Sequence, residues 1–214
     1  MEIQNGAVML ATSSFSHVYL IRGAENMLID TGMPGQGKKI LNELDAMGVD
    51  PKSVKHILLT HHDIDHIGNA ALLAEATGAQ VWAPEGDIPY ITREKPRDGR
   101  KRVINAIFRA KIPQHIQPLA DGQQINGVTA LAAPGHTPGH MIFYYEKIVF
   151  AGDLLRMQNG IPAANPKAMS WNQQLSAQSI GLLASLQIDW VCPAHGQPAK
   201  MNDAIRSFIA GHAG

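Results

Sequence analysis

The densest cluster of chemically active side chains spans residues 61–66, which read His61-His62-Asp63-Ile64-Asp65-His66. Residues 54–60 are mostly apolar and predict a buried strand, so the cluster stands where a strand ends, a common place for a site in α/β sheets. In an extended loop, side chains two residues apart point to one side. His61, Asp63 and Asp65 should therefore face one way while His66 turns elsewhere, which favours two adjacent metal ions over one shared ion.

Three more candidate ligands follow apolar runs later in the chain, and each is flanked by Gly or Pro, which lets the backbone turn and present the side chain. They are His136 in Pro-Gly-His-Thr-Pro-Gly-His, Asp153 in Phe-Ala-Gly-Asp and His195 in Pro-Ala-His-Gly. Imidazoles combined with carboxylates suit zinc, iron or manganese rather than calcium. The sequence therefore predicts a transition-metal centre.

Strand and helix patterns alternate along the chain, which predicts an α/β fold. A hairpin is expected from residues 16–22 and 26–30. Helices are expected at 37–47, 69–77, 170–186 and 202–209, and further strands at 54–60, 80–83, 128–133, 141–145, 148–151 and 190–192. These elements place the candidate ligands at strand ends.

The composition bounds the class of protein. The 214 residues are 45% hydrophobic and predict one domain, residues 1–214, with a sizeable core. Eighteen basic residues balance eighteen acidic ones, which argues against a nucleic-acid binder. No apolar stretch is long enough to span a membrane, the start does not resemble a secretory signal, and one cysteine permits no intrachain disulfide. We therefore expect a cytoplasmic protein with no nucleic-acid or membrane partner, and the sequence leaves its oligomeric state open.

One segment differs from the neutral remainder. Residues 93–111 carry eight basic and two acidic residues, a local charge of +6. The segment predicts a basic, lid-like insertion at about residues 86–118. It is either a solvated face or a lid that steers an anionic substrate.

The order of these motifs resembles the metallo-β-lactamase superfamily, whose members carry His-x-His-x-Asp-His followed by a distant His, an Asp and a last His. Residues 61–66, His136, Asp153 and His195 match that order, and Asp30-Thr31-Gly32 matches an early Asp-Thr-Gly of the family. The resemblance covers about residues 8–210. It implies a four-layer αββα sandwich of two mixed β-sheets flanked by helices.

The resemblance also implies a ligand set and a reaction. One metal would take His61, Asp63 and His136, the second would take Asp65, His66 and His195, and Asp153 would bridge them beside a water or hydroxide. The implied reaction is metal-dependent hydrolysis of an ester, lactone or thioester-type bond in a small molecule, with Asp65 receiving or relaying the proton. Zinc is the first choice of metal, and iron or manganese are alternatives.

The sequence departs from the family at Asp63, where the commonest pattern has histidine. With three aspartates and a hydroxide, two divalent ions form a neutral cluster, which should tolerate harder metals better. Three other functions stay open: a di-iron redox enzyme of the same fold, a phosphoester hydrolase acting on an anionic substrate, and a non-catalytic metal-binding or interaction module.

Four further residues have weaker signals. Asp30 either supports the ligand loops or is a plain turn carboxylate, and His140 either contacts the site or substrate or makes a structural hydrogen bond. His62 is expected to point away from the metals at the surface. Cys192 is expected in the core.

Overall fold

The structure is a computed structural model that describes residues 1–13, 15–96 and 110–213. Its backbone falls into two units, Met1–Pro118 and Leu119–Gly214. Each unit contains a β-sheet with parallel and antiparallel neighbours and its own apolar core.

The sheet of the first unit has seven strands that lie side by side in chain order. The strands are β1 (Glu2–Gln4), β2 (Ala7–Met9), β3 (Tyr19–Ile21), β4 (Asn26–Ile29), β5 (Val54–Leu58), β6 (Gln80–Pro84) and β7 (Ile116–Leu119). Strands β1 to β4 pair antiparallel, which confirms the predicted hairpin as β3 and β4. Strands β4, β5 and β6 run parallel, so their carboxyl ends meet at one edge of the sheet.

Four α-helices accompany this sheet among the described residues. They are α1 (Gly37–Ala46), α2 (Ile64–Ile67), α3 (Ala70–Thr77) and α4 (Ile88–Ile91), with a 3-10 turn at Pro51–Ser53. Helix α1 buries Ile40 and Leu44, one helical turn apart, in the same core as Leu28 and Ile57 of the sheet. Helix α3 ends at Gly78, whose φ of 81° is a left-handed conformation that glycine adopts without strain. The helices predicted at 37–47 and 69–77 are confirmed.

The second unit contains a six-stranded sheet in the order β15-β14-β11-β10-β9-β8 and a separate hairpin of β12 and β13. The strands are β8 (Gln124–Ile125), β9 (Val128–Ala132), β10 (Met141–Tyr145), β11 (Ile148–Gly152), β12 (Arg156–Gln158), β13 (Ile161–Ala163), β14 (Trp190–Pro193) and β15 (Ala199–Lys200). Strands β11 and β14 are parallel, and the other neighbours are antiparallel.

Two helices accompany the second sheet, α5 (Gln173–Leu182) and α6 (Asp203–Ala210), with 3-10 turns at Lys167–Met169 and Leu183–Ser185. Each helix starts at an asparagine whose side chain accepts a backbone N–H: Asn172 from Leu175 and Asn202 from Ile205. Ile180, Ile205 and Ile209 share a core with the sheet residues Val149 and Val191. The predicted α/β class with two mixed sheets and helices is confirmed.

The predicted basic insertion is described only at its ends. Residues 97–109 lie outside the described residues. On one side of them stands α4, and on the other β7 forms an edge strand of the first sheet. Across the described parts of the chain, no helix has the length and hydropathy needed to cross a membrane.

Candidate metal centre

The first group of metal-ligating side chains stands at the carboxyl edge of β4 and β5. Asp30 directly follows β4, and its backbone N–H donates to the carbonyl of Leu58 at 2.9 Å, which extends the pairing of the two strands. Thr60 and His61 follow β5. The parallel register therefore brings Asp30 next to residues that lie thirty positions further along the chain.

Asp30 fixes the ring of His66. The Asp30 carboxylate is buried and accepts the N–H of Thr60 at 2.8 Å, the hydroxyl of Thr60 at 2.8 Å and Nδ1 of His66 at 2.8 Å. Because an ionised carboxylate only accepts hydrogen bonds, His66 carries its proton on Nδ1. Its Nε2 then keeps the lone pair that a metal requires.

Thr60 orients the ring of His61 in a similar way. The Thr60 hydroxyl donates its proton to Asp30, so its oxygen acts as the acceptor toward Nδ1 of His61, 3.0 Å away. His61 therefore also presents the lone pair of Nε2. The rings of His61 and His66 lie close together, with centroids 3.9 Å apart, and both are fully buried. Asp30 thus orients two imidazoles, one directly and one through a hydroxyl.

Each of these imidazoles faces a carboxylate oxygen from residues 61–66, which comprise the loop after β5 and the start of α2 and are called the ligand loop below. Nε2 of His61 lies 3.4 Å from Oδ2 of Asp63, and Nε2 of His66 lies 3.5 Å from Oδ2 of Asp65. Both aspartates are only 8% exposed. Two nitrogen–oxygen pairs in buried surroundings suit divalent transition metals, because an unpaired buried carboxylate is costly.

Backbone contacts hold this ligand loop in place. The Ser16 hydroxyl donates to the carbonyl of Asp65 at 2.8 Å, and the Thr31 hydroxyl donates to the carbonyl of His66 at 2.6 Å. Gly68, which ends α2, packs so closely that a Cβ there would lie 2.3 Å from the carbonyl oxygen of Gly32. A side chain at position 68 would therefore push the ligand helix away from the loop after β4.

The second group of ligating side chains gathers at one edge of the second sheet. Strands β11 and β14 run parallel, so Asp153 and His195, which follow them, stand side by side. His136 lies in the loop between β9 and β10, and β10 is antiparallel to β11, so this loop reaches the same edge. The order of strands explains why three residues far apart in the sequence are neighbours.

Asp153 lies between His136 and His195, two of the histidines of its unit. Its Oδ2 is 3.2 Å from Nε2 of His136, and its Oδ1 is 3.3 Å from Nε2 of His195. His136 and Asp153 are buried, whereas the His195 side chain is 27% exposed. The two oxygens of Asp153 thus face two different imidazoles.

His140 positions Asp153. Its Nδ1 lies 3.1 Å from the carbonyl of Ala133, and its Nε2 accepts the backbone N–H of Asp153 at 3.0 Å. The carbonyl of His136 in turn accepts the N–H of Trp171 at 3.1 Å. Between the two alternatives for His140, the structure shows hydrogen bonds to the backbone at both ring nitrogens.

The structure corrects the expectation for His62. Its side chain is buried rather than at the surface, and its Nδ1 lies 2.9 Å from Oδ2 of Asp87. The alternation of side chains placed His62 away from the other ligands, but the turn after β6 covers it. Asp87 itself was missed, although an acid shortly after the buried strand predicted at residues 80–83 was a signal that could have identified it.

Cys192 is buried in β14, as predicted, and burial raises the pKa of its thiol far above the usual range. A thiol in this state is a poor nucleophile and a poor metal ligand. The residue belongs to the core of its unit.

Comparison with known proteins identifies the family. The model of the metallo-beta-lactamase superfamily matches residues 11–195, and the chain belongs to this superfamily. It is 30% identical over 208 residues to the Bacillus subtilis protein YobT, covering 87% of each chain. It is 32% identical over 126 residues to a hydroxyacylglutathione hydrolase from Methylobacillus flagellatus, covering 57% of this chain and 41% of that enzyme.

Structural comparison agrees. The crystal structure of TTHA1623 in a di-iron-bound form superposes with a TM-score of 0.71 and 27% identity, covering 90% of this chain and 93% of that one. The metallo-β-lactamase fold that the sequence implied is confirmed. The class of protein to which the chain belongs is that of the metal-dependent hydrolases.

Proposed function

We propose that the protein is a dinuclear metal hydrolase that cleaves an ester, lactone or thioester-type bond in a small molecule. The observation that carries this proposal is the set of oriented donors. In each unit, imidazole Nε2 atoms face aspartate oxygens at 3.2–3.5 Å. The family match extends over both groups of donors.

The proposed ligands are those that the family pattern assigns. One metal would be held by His61, Asp63 and His136 and the other by Asp65, His66 and His195, and Asp153 would be shared by the two. The contacts of His61 with Asp63, of His66 with Asp65, and of Asp153 with His136 and His195 support this assignment.

When two divalent ions are bound, they supply a Lewis acid and a water of pKa about 7, and so a hydroxide nucleophile at neutral pH. The side chains of the protein transfer the proton and hold the ligands in position. Asp65 carries the proton released during hydrolysis to the leaving oxygen or sulfur atom. Asp30 and Thr60 hold the imidazoles so that neither ring turns, and His140 holds the backbone of Asp153.

The experiment that tests this function is a substrate panel. Protein loaded with zinc, iron or manganese is assayed against small esters, lactones, thioesters and phosphoesters, before and after removal of the metal by a chelator. We expect metal-dependent turnover of at least one carboxylic substrate class. Absence of turnover in every class with every metal would overturn the proposal and favour a non-catalytic metal-binding module.

Within the carboxylic substrates, thioesters have separate support from the similarity to hydroxyacylglutathione hydrolase. That similarity covers less than half of the relative's length. The substrate of this chain is therefore proposed as a small ester, lactone or thioester. Relative kcat/KM values across the panel decide among them.

Zinc remains the first proposal for the resident metal, with iron or manganese as alternatives. Asp63, Asp65 and Asp153 give the centre three hard oxygen ligands, which favours iron and manganese more than an all-histidine set would. Metal analysis of protein purified without added metal distinguishes them. Zinc alone at full occupancy would eliminate the alternatives.

A di-iron redox enzyme is the second candidate function. The carboxylate at position 63 and the similarity to a protein crystallised in a di-iron-bound form support it. A redox role predicts an iron-dependent absorption band that bleaches on reduction. Hydrolysis that is equally fast with zinc, together with no such band, would decide for the hydrolase.

A phosphoester hydrolase acting on an anionic substrate is the third. Its support is the charge of residues 93–111. Neutralising Arg100, Lys101 and Arg102 together would then lower kcat/KM and remove its dependence on salt.

A further inference from the structure

Residues 154–172 connect Asp153 to α5, and their hydrogen bonds hold them against the proposed ligands of the second unit. Three donors in this segment each bind the backbone carbonyl of one proposed ligand. The pairs are the N–H of Met157 with His195 at 3.0 Å, the side-chain amide of Asn165 with Asp153, and the N–H of Trp171 with His136 at 3.1 Å. The segment is therefore fixed to the sheet edge where these ligands gather.

The backbone of Trp171 is held especially closely. Beside its bond with His136, the N–H of Asn172 donates to the carbonyl of Gly135 at 2.8 Å. Gly135 has a φ of 139°, and a Cβ there would lie 2.3 Å from the backbone nitrogen of Ser176 in α5. The loop that carries His136 thus packs directly on the start of α5. Trp171 has a fixed place beside a proposed ligand.

The side chain of Trp171 points away from the core of its unit. Its neighbour Ser170 has an extended backbone, with φ −106° and ψ 134°, and lines a small cavity together with the core residues Leu154 and Ile180. Successive side chains of an extended backbone point to opposite sides, so Trp171 faces outward. The residue is 51% exposed, although it carries the largest apolar side chain of the segment.

The position of this indole suggests what it binds. A single exposed apolar side chain is ordinary in a folded protein, so exposure alone decides nothing. Trp171 differs because its backbone is fixed and lies one hydrogen bond from a proposed ligand. Contact with an alkyl or aryl group would remove the ring from water, and little freedom would be lost because the backbone is already fixed. Small-molecule sites typically combine such apolar walls with a few polar groups.

We propose that the indole of Trp171 contacts an alkyl or aryl group of the substrate beside the bond that is cleaved. The substrate is then an ester, lactone or thioester with an apolar part, and Trp171 determines how strongly the length of that part affects binding. This inference rests on the proposed function, because it requires hydrolysis at the metal centre next to His136.

Two series of homologous substrates test the inference in metal-loaded protein. One series lengthens the acyl part of the bond class found by the panel from acetyl to octanoyl, and the other lengthens the alcohol or thiol part. In the wild type, kcat/KM should rise with length in one series, which identifies the part that meets Trp171. Burial of one methylene group corresponds to about a four-fold change, and the indole covers one side of several. Trp171→Ala should therefore lower the ratio of kcat/KM between the longest and shortest members by about 10-fold.

The change should lie in KM, because an apolar contact remote from the reacting atoms is the same in the bound substrate and in the transition state. Trp171→Phe keeps a smaller apolar ring and should give an intermediate ratio. The matched control is Leu182→Ala at the end of α5, since Leu182 is 54% exposed. This variant should keep the wild-type ratio.

Tryptophan fluorescence gives a readout that needs no turnover. Octanoate, a product of the acyl series, and octanol or octanethiol, a product of the other, should cover the indole and shift its emission to shorter wavelength, whereas acetate should not. The shift should be absent in Trp171→Phe, which retains Trp82 in β6 and Trp190 in β14. This comparison gives the answer if Trp171→Ala does not fold.

The outcomes separate this inference from the proposed function. If the wild type cleaves the substrates but chain length has no effect in either series, or if Trp171→Ala keeps the wild-type ratio, the role of Trp171 alone is wrong. The same holds if the emission shift persists in Trp171→Phe. If the wild type cleaves no member of either series with any metal, the proposed function fails and the inference fails with it.

Discussion

A single buried carboxylate, that of Asp30, determines which ring nitrogen carries the proton in two histidines. It holds His66 directly and His61 through the Thr60 hydroxyl, and its own backbone has a φ of 60°, a left-handed conformation that few residues other than glycine adopt. Such strain persists where the surroundings over-determine it, and it often accompanies a site. We therefore expect Asp30 to influence metal binding through the two histidines it orients.

Asp30→Asn tests this role, because an amide has one acceptor oxygen, and its NH2 group must face either the Thr60 N–H or the His66 Nδ1–H whichever way it turns. We expect metal affinity to fall by about 10- to 100-fold in a chelator competition assay. Asp50→Asn is the matched control, since the Asp50 carboxylate accepts the exposed N–H of Lys52 before β5. Equal affinity in the two variants would show that Asp30 has no influence on the ligands.

Asp65 carries the proposed proton transfer. Asp65→Asn keeps the size of the side chain and removes its basicity, so kcat on the best panel substrate should fall by at least about 100-fold. His136→Ala should cause a loss of the same scale by removing a ligand. Asp45→Asn, an exposed position on α1, serves as the control. Near-normal turnover in either site variant would contradict the assignment.

The elements of this fold position the site through a few long-range hydrogen bonds, and Glu43 accepts some of them. From α1, its carboxylate accepts the N–H of Ala11 at 2.6 Å and both the N–H and hydroxyl of Thr12 at 2.9 and 2.5 Å. The loop after β2 is fixed at this point, and further on its Ser16 hydroxyl binds the ligand loop. Helix α1, the loop after β2 and the ligand loop are thereby connected.

Glu43 should make stability depend on pH. Burial alone would raise its pKa, but the hydrogen bonds from Thr12 and Ala11 outweigh burial and lower the pKa below the usual 4.5. The lowered pKa in the folded state means that the stabilisation is complete above pH 4.5 and is lost as the pH falls through the folded-state value.

Urea unfolding of metal-free protein measures the effect, since acid release of a metal then plays no part. Glu43→Gln should lower the free energy of unfolding by about 1 kcal/mol at neutral pH, a modest value because the carboxylate is partly exposed. The difference from wild type should shrink below pH 4.5. Glu75→Gln, at an exposed ion pair with Lys111, should change the free energy of unfolding by less than about 0.5 kcal/mol. If Glu43→Gln lowers the free energy of unfolding equally at every pH, the stabilisation does not come from the ionised carboxylate.

The sequence predicts these elements unevenly. The β3–β4 hairpin, β5, α1 and α3 follow from their apolar periodicity. Strands of two or three residues, such as β1, β8 and β15, are too short to show a period and form only because a neighbouring strand pairs with them.

The site shows the same division between local and long-range information. The motif at residues 61–66 is local and visible in the sequence. The burial of His62 is not, because it depends on Asp87, twenty-five residues later, reaching the same sheet edge through the parallel pairing of β5 and β6. The Asp30–Thr60–His61 relay likewise depends on strand register.

At the scale of the whole molecule, the proposed ligands are contributed by both units, so metal binding should stabilise the complete fold. A metal at about 100 times its dissociation constant adds roughly 2.7 kcal/mol. For a chain of this size, that corresponds to a rise in Tm of about 5–10 °C.

A thermal scan with and without a chelator checks this expectation, and added zinc should restore the higher Tm. The control is Asp153→Asn, which lacks the proposed bridging ligand and should respond less to the chelator. An identical Tm for the wild type in both conditions would show that metal binding and folding are not coupled.

The buried thiol of Cys192 has a practical consequence for spectroscopy. As the one cysteine of the chain, enclosed in β14, it should stay inert toward maleimides while the native fold persists. A pair of cysteines engineered on the surface could then carry dyes or spin labels in the otherwise wild-type chain. Distances between labels on the two units could be followed as substrate binds.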